Sequence, residues 1–168
     1  EASREEEVEK GAAFVTAIDK FPLIVKSVPG FLVNRVLAPY LTGAMQRLQA
    51  GEEKEKIDEA ARAFGMPMGP IELADTVGLD VCAWKDGRPQ KAEKIYDKAE
   101  LERLGRELVE PLIAECERCR DEGVVASGDL IDAGVIFGTG FAPFRGGPLH
   151  FKATEAAGAA APQRAAAE

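Results

Sequence analysis

The sequence predicts a mainly α fold: two tandem, related helical units, preceded by a helix–strand piece that belongs to a sheet. Three observations carry this. Apolar residues recur at three-to-four spacing in several separate stretches, which is the period of one helix face. The only β-like run, Leu23-Ile24-Val25, is confined between Pro22 and Pro29. The glycine and proline punctuation of the first half returns in the second, 72 to 78 residues later.

Taken in order, residues 5–20 carry Val8, Ala12, Val15 and Ile18 at helical spacing, and Phe21-Pro22 closes that helix. Leu23 to Val25 is β-branched and short, so a brief strand is expected. One strand has no partner for its backbone groups. Residues 1–29 therefore read as the end of an α/β domain that is otherwise missing. From Phe31 the pattern turns helical, and Val33, Val36, Leu37, Leu41, Ala44, Met45 and Leu48 form one broad face ending near Gly51. Pro39 lies inside this run, and a kink or break is expected there because proline removes a hydrogen bond. A second helix is expected over about 54–64, apolar at Ile57, Ala60, Ala61 and Phe64, with Gly65 as its stop. A Gly/Pro corner at Met66–Pro70 leads into a short helix starting near Pro70 or Ile71.

Residues 83–100 read as a linker, opened by the turn chemistry of Trp84 to Pro89. Helical pattern resumes at Leu101, Leu104, Leu108, Leu112 and Ile113 and runs to Gly123. Ser127 to Asp129 can cap a further helix carrying Ile131, Val135 and Ile136. Residues 153–168 are Ala-rich, contain Pro162 and lack an amphipathic face, so a frayed tail is expected. The repeat aligns Pro39 with Pro111, Gly51 with Gly123, Ile57-Asp58 with Ile131-Asp132, and Gly69-Pro70 with Gly147-Pro148. Units at 30–82 and 101–152 follow, each burying one apolar face against its twin.

Composition narrows the function. With 21 Lys and Arg against 29 Asp and Glu, the net charge is −8 and no basic cluster exists, which disfavours nucleic acid. No apolar run approaches the ~18 residues of a membrane span, and no signal-peptide core follows the charged N-terminus. Cys82, Cys116 and Cys119 form no even framework, so a reducing compartment is expected, cytoplasmic for a bacterial protein and mitochondrial for a eukaryotic one. Cys116-Glu117-Arg118-Cys119 lacks the second pair of a zinc site and falls late in a helix, which makes both thiols half-buried packing residues. No metal site is expected. His150, the single histidine, has no acidic neighbour in sequence and reads as structural or surface. Gly138-Thr139-Gly140 follows no strand and reads as a corner rather than a phosphate loop. Glu52 to Lys56 reads as a solvated face, and Glu72 and Asp75 as local caps or pairs.

Pro29-Gly30-Phe31-Leu32-Val33-Asn34-Arg35, continued by Pro39-Tyr40-Leu41, Ile57-Asp58 and Gly65 to Asp75, resembles the C-terminal helical domain of the 3-hydroxyacyl-CoA dehydrogenases. The segment from Ile136 to Leu149, with Phe141-Ala142-Pro143-Phe144-Arg145-Gly146-Gly147-Pro148-Leu149, is similar to the closing segment of the multifunctional fatty-acid oxidation proteins, which carry two helical copies. The resemblance implies a 6-phosphogluconate-dehydrogenase-C-terminal-like helical fold, with residues 1–29 as the remnant of a Rossmann domain that binds NAD. It implies oxidation of an L-3-hydroxyacyl-CoA, with the His–Glu catalytic pair in the missing domain. Asn34 matches the family's active-site Asn and would donate a hydrogen bond to the substrate oxygen. The implied partners are acyl-CoA, the chain's own Rossmann domain and a thiolase subunit.

The resemblance breaks after Gly78-Leu79-Asp80-Val81-Cys82, where relatives continue with more helical sequence and this chain passes into Ala83-Trp84. Residues deleted here, or a stretch absent from the sequence, are expected, with a discontinuous backbone near Cys82–Trp84. Outside this family, the alternatives are a non-catalytic helical dimerisation or protein-interaction module, and another Rossmann-plus-helical dehydrogenase of the 6-phosphogluconate type. A GxGxxG turn and a His–Glu pair upstream of Glu1 would separate the enzyme reading from the module.

Overall fold

The computed structural model describes residues 3–77 and 95–160. Seven α-helices occur there: α1 Glu5–Ala17, α2 Val33–Gln49, α3 Lys54–Phe64, α4 Pro70–Val77, α5 Lys98–Asp121, α6 Gly128–Thr139 and α7 Pro148–Ala160. One 3-10 turn, Pro143–Arg145, precedes α7. The helix α5, 24 residues long, forms the spine. Its buried stripe of Leu101, Leu104, Leu108, Leu112 and Ile113 meets α2 and α3, while α6 and α7 close its other side. Local chemistry sets several ends. Gly65 and Gly140 stop α3 and α6 in left-handed conformation, at φ of 117° and 73°. Asp97 and Ser127 cap α5 and α6 by accepting from the backbone N–H of Glu100 and Leu130.

The crossing of α3 over α5 turns on Gly105. A Cβ there would lie 2.4 Å from the carbonyl oxygen of Ala60 and 3.0 Å from Phe64 Cβ. Gly105→Ala gains about 1 kcal/mol of helix propensity, but backbone oxygen cannot step aside, so the two helices must part. The expected net result is a loss of about 2 kcal/mol in urea unfolding. A gain in stability would show that the helices have room to separate.

The structure departs from the sequence expectations in several places. Leu23 to Val25 forms no strand; Val25 makes one antiparallel bridge to Val125, in the turn between α5 and α6. The first helix stops at Ala17, with Asp19 at a φ of 56°. Pro39 does not break α2, which runs from Val33 to Gln49, and Pro111 lies within α5 in the same way. The helix α5 starts at Lys98, inside the expected linker, because Asp97 supplies a cap. Residues 153–160 continue α7 rather than fraying, in keeping with alanine's high helix propensity. Both Cys116 and Cys119 are fully buried rather than half-buried, and burial pushes both thiols up. The Glu52–Lys56 run is only partly solvated, since Lys54 pairs with Asp75 and Lys56 with Glu100. The junction at Cys82–Trp84 lies outside the described residues.

Two buried carboxylates organise the corners before α4 and α7. Asp58 accepts from the backbone N–H of Ile71 at 2.9 Å and Glu72 at 3.4 Å. Asp132 accepts from Leu149 at 2.8 Å and His150 at 3.0 Å. Each satisfies the first free donors of a helix that begins with proline.

Candidate functional site

The broad apolar face expected of α2 is in fact two stripes. Val36, Tyr40 and Ala44 point into the core, whereas Leu37, Leu41 and Met45 line an open groove against Leu73, Ala74 and Val77 of α4. Tyr40 was absent from the expected face, yet it is fully buried. Both stripes follow the i, i+4 rule, so periodicity merges them into one face. The groove encloses about 680 Å³, within the range of small-ligand sites. At ~1.5 Å per residue, its α2 wall extends about 16 Å from Asn34 to Met45.

Asn34 lines the groove at its N-terminal end, and the amides of Gln46 and Gln49 line its far end. The Asn34 side chain is exposed and makes no hydrogen bond with another described residue. It stands in the first turn of α2, where the backbone N–H groups of Val33 and Asn34 also have no acceptor among the described residues. An amide donor beside unpaired helix N–H groups is an arrangement that favours an oxygen gaining negative charge.

Arg35, the last residue of the matched segment, turns away from the groove. Its Nε donates to Glu115 at 2.6 Å, and its two terminal nitrogens fork onto Glu122 at 2.7 and 2.9 Å. Burial works to raise the Glu115 carboxyl, but hydrogen bonds from Arg118 and Arg35 overcome it and hold the group below its ordinary value. The hydrogen bond from Arg35 does the same for Glu122. Sequence reasoning missed this cluster because the partners lie 80 and 87 residues away.

The other candidates stay apart from the groove. His150 is exposed, and its backbone rather than its ring meets Asp132. Glu72 and Asp75 pair locally with Arg62 and Lys54. Thr139 donates its hydroxyl to the carbonyl of Val135 and accepts from the N–H of Phe141, so Gly138-Thr139-Gly140 is a helix end and not an anion cradle. Among the described residues no cluster of His, Cys, Asp and Glu converges as metal ligands, and no helix is long and apolar enough to cross a membrane.

The helical spine, the two Asp-held corners and the groove headed by one asparagine define a helical domain with an open apolar groove. Residues 30–110 match the family model described as 3-hydroxyacyl-CoA dehydrogenase, C-terminal domain, and that stretch belongs to the family. It is 33% identical over 183 residues to the fatty acid oxidation complex subunit alpha of Vibrio cholerae, a match covering 80% of this chain and 26% of the relative. The corresponding subunit of Pseudomonas savastanoi is 31% identical over 207 residues, covering 90% and 29%. That of Shewanella putrefaciens is 32% identical over 189 residues, covering 83% and 27%. The chain thus spans between a quarter and a third of the length of these relatives.

Proposed function

We propose that this chain is the C-terminal helical part of an NAD-dependent L-3-hydroxyacyl-CoA dehydrogenase of fatty-acid β-oxidation. The parent would be the multifunctional type, which joins an enoyl-CoA hydratase to the dehydrogenase. The observation that carries the reading is Asn34, exposed and unpaired at the head of an apolar groove, inside the PGFLVNR segment of the matched family. The chain covers the acyl-CoA cleft. The acyl tail lies along Leu37, Leu41 and Met45, with the reacting carbons beside Asn34. Its amide donates a hydrogen bond to the substrate 3-oxygen and holds it as the carbonyl forms, without itself titrating.

The described residues do not fit NAD. Gly138-Thr139-Gly140 closes α6 at a carbonyl end, Asp58 and Asp132 take the N–H groups that open α4 and α7, and no strand-to-helix turn occurs among the described residues. On this reading NAD and the His–Glu pair are carried by an upstream domain. Phe14, Ile18, Phe21 and Ile24 stand exposed on the N-terminal segment, and such an apolar surface suits a cover by that domain.

Two related helical units are supported by the matching placement of Asp58 and Asp132 before Gly69-Pro70 and Gly147-Pro148. This two-copy form favours the multifunctional parent, with the helical part also serving subunit packing and a thiolase subunit as partner. The bacterial sources of the relatives suit a cytoplasmic setting. The match to the Vibrio protein runs over 183 residues, whereas 80% of this chain is about 134, so about 49 positions of the relative lack a counterpart here. That shortening supports a deletion or missing stretch near Cys82–Trp84.

The chain by itself is expected to show no turnover of acetoacetyl-CoA with NADH. Assembled with its NAD-binding domain, it should turn over. Asn34→Ala should then lower kcat about 100-fold while leaving the unfolding midpoint in place, because the side chain is exposed. Unchanged kinetics would remove Asn34 from the site and favour the association module.

A further inference from the structure

Asn34 stands in a helix turn that lacks local support. Leu32 at the N-cap position offers no side-chain cap. Before it, Gly30 and Phe31 hold φ values of 78° and 51°, and Phe31 is a bulky residue in a conformation that favours glycine. Such a turn persists only where its surroundings fix it.

What fixes it comes from α5 and the turn that follows. The Arg35 guanidinium spends all three of its nitrogens on Glu115 and Glu122. Arg118 Nε holds the other oxygen of Glu115 at 2.7 Å. Lys26 Nζ donates to the carbonyl of Glu122 at 3.1 Å, and the Lys26 N–H to that of Val124 at 2.8 Å. The Arg35 and Glu115 side chains are 19% and 11% exposed, so water screens this pair little. Arg35 is also tied back to the strained corner, where its N–H meets the carbonyl of Gly30 at 3.3 Å. A side chain at position 30 would lie 2.9 Å from that nitrogen.

We propose that Arg35, Glu115 and Glu122 are positioning residues: through this cluster the second half of the chain fixes the turn from which Asn34 reaches the substrate oxygen. The inference rests on the reading of Asn34 as a substrate-contacting group. All three Arg35 nitrogens face Glu115 and Glu122 rather than the groove, so Arg35 acts through its neighbour.

A second ion pair between the same helices gives a control. Arg47 donates to Glu107 at 2.7 Å near the far end of α2, three turns from Asn34. Asn34 is the only asparagine in the sequence, so a chain carrying isotopically labelled asparagine shows one side-chain amide pair by NMR. Glu122→Gln and Arg35→Lys are expected to shift and broaden that pair, whereas Glu107→Gln leaves it in place. In the dehydrogenase assembled with its NAD-binding domain, Glu122→Gln should lower kcat about tenfold with KM within about twofold, as for a misplaced transition-state contact. An unmoved amide pair in Glu122→Gln, or equal movement in Glu107→Gln, would overturn the proposal. If Asn34→Ala leaves kcat unchanged, the reading of Asn34 falls instead, and the amide pair still reports whether the cluster fixes the turn.

Discussion

Phe64→Ala is expected to lower the stability of the chain by about 4–5 kcal/mol, the upper range for a buried aromatic. The ring is 2% exposed at the C-terminal end of α3. It meets Phe141 and Phe151 edge-on, with centroids at 5.6 and 5.2 Å. Alanine would open a cavity where α3, α5 and α7 converge, and rings anchored on three sides collapse poorly. The Arg145 guanidinium lies 4.2 Å above the Phe64 ring, and its Nε donates to the Phe64 carbonyl at 2.9 Å. No carboxylate pairs with Arg145 among the described residues, so the ring face and the helix-end carbonyl are what compensate its charge. A double-mutant cycle of Phe64→Leu with Arg145→Met should return a coupling of about 1 kcal/mol. Urea unfolding decides the main claim: a loss below about 2 kcal/mol for Phe64→Ala would mean that the core is not centred on this ring.

The parts legible in the sequence are those governed by neighbours in sequence. Periodicity and caps marked α3 and the start of α6 closely, because Gly65 and Ser127 act within one turn of their helices. Residues 153–160 were misread because amphipathicity was the test, and Ala-rich helix needs little of it. The groove was hidden for a related reason. Leu37, Leu41 and Met45 have the same spacing as Val36, Tyr40 and Ala44, and only the position of α4 decides which stripe meets the core. Arg35 carried no local signal at all. Its charge looked like part of a motif, and only the fold brings Glu115 and Glu122 to it. The aspartates at 58 and 132 were visible as a repeated Ile-Asp pair, but not as caps, since the helices they serve begin 12 and 16 residues later.

Those aspartates lead to the other large effect. Asp58→Ala should cost about 3 kcal/mol, because it strands the buried N–H of Ile71 and weakens the start of α4. The corner leaves no room for compensation. A Cβ at Gly69 would lie 2.2 Å from Asp58 Oδ1, and one at Gly147 lies 2.4 Å from Asp132 Cβ, which explains why glycine precedes proline in both corners. The pH dependence has a defined sign. Burial pushes the Asp58 carboxyl above its ordinary value of 3.8, outweighing the N–H groups of Ile71 and Glu72, which pull it down. Asp132 is raised for the same reason, against Leu149 and His150. A carboxyl raised on folding binds its proton more tightly in the native state. Its contribution is therefore fully present below the ordinary value and declines as pH rises through the folded one. Asp58→Asn keeps an acceptor oxygen and removes the titration. The stability difference between the natural chain and Asp58→Asn should thus favour the natural chain more on the acid side of this window than at neutral pH. A difference that instead grew towards neutral pH would mean that the two N–H bonds dominate, and that the ionised carboxylate is what the corner selects.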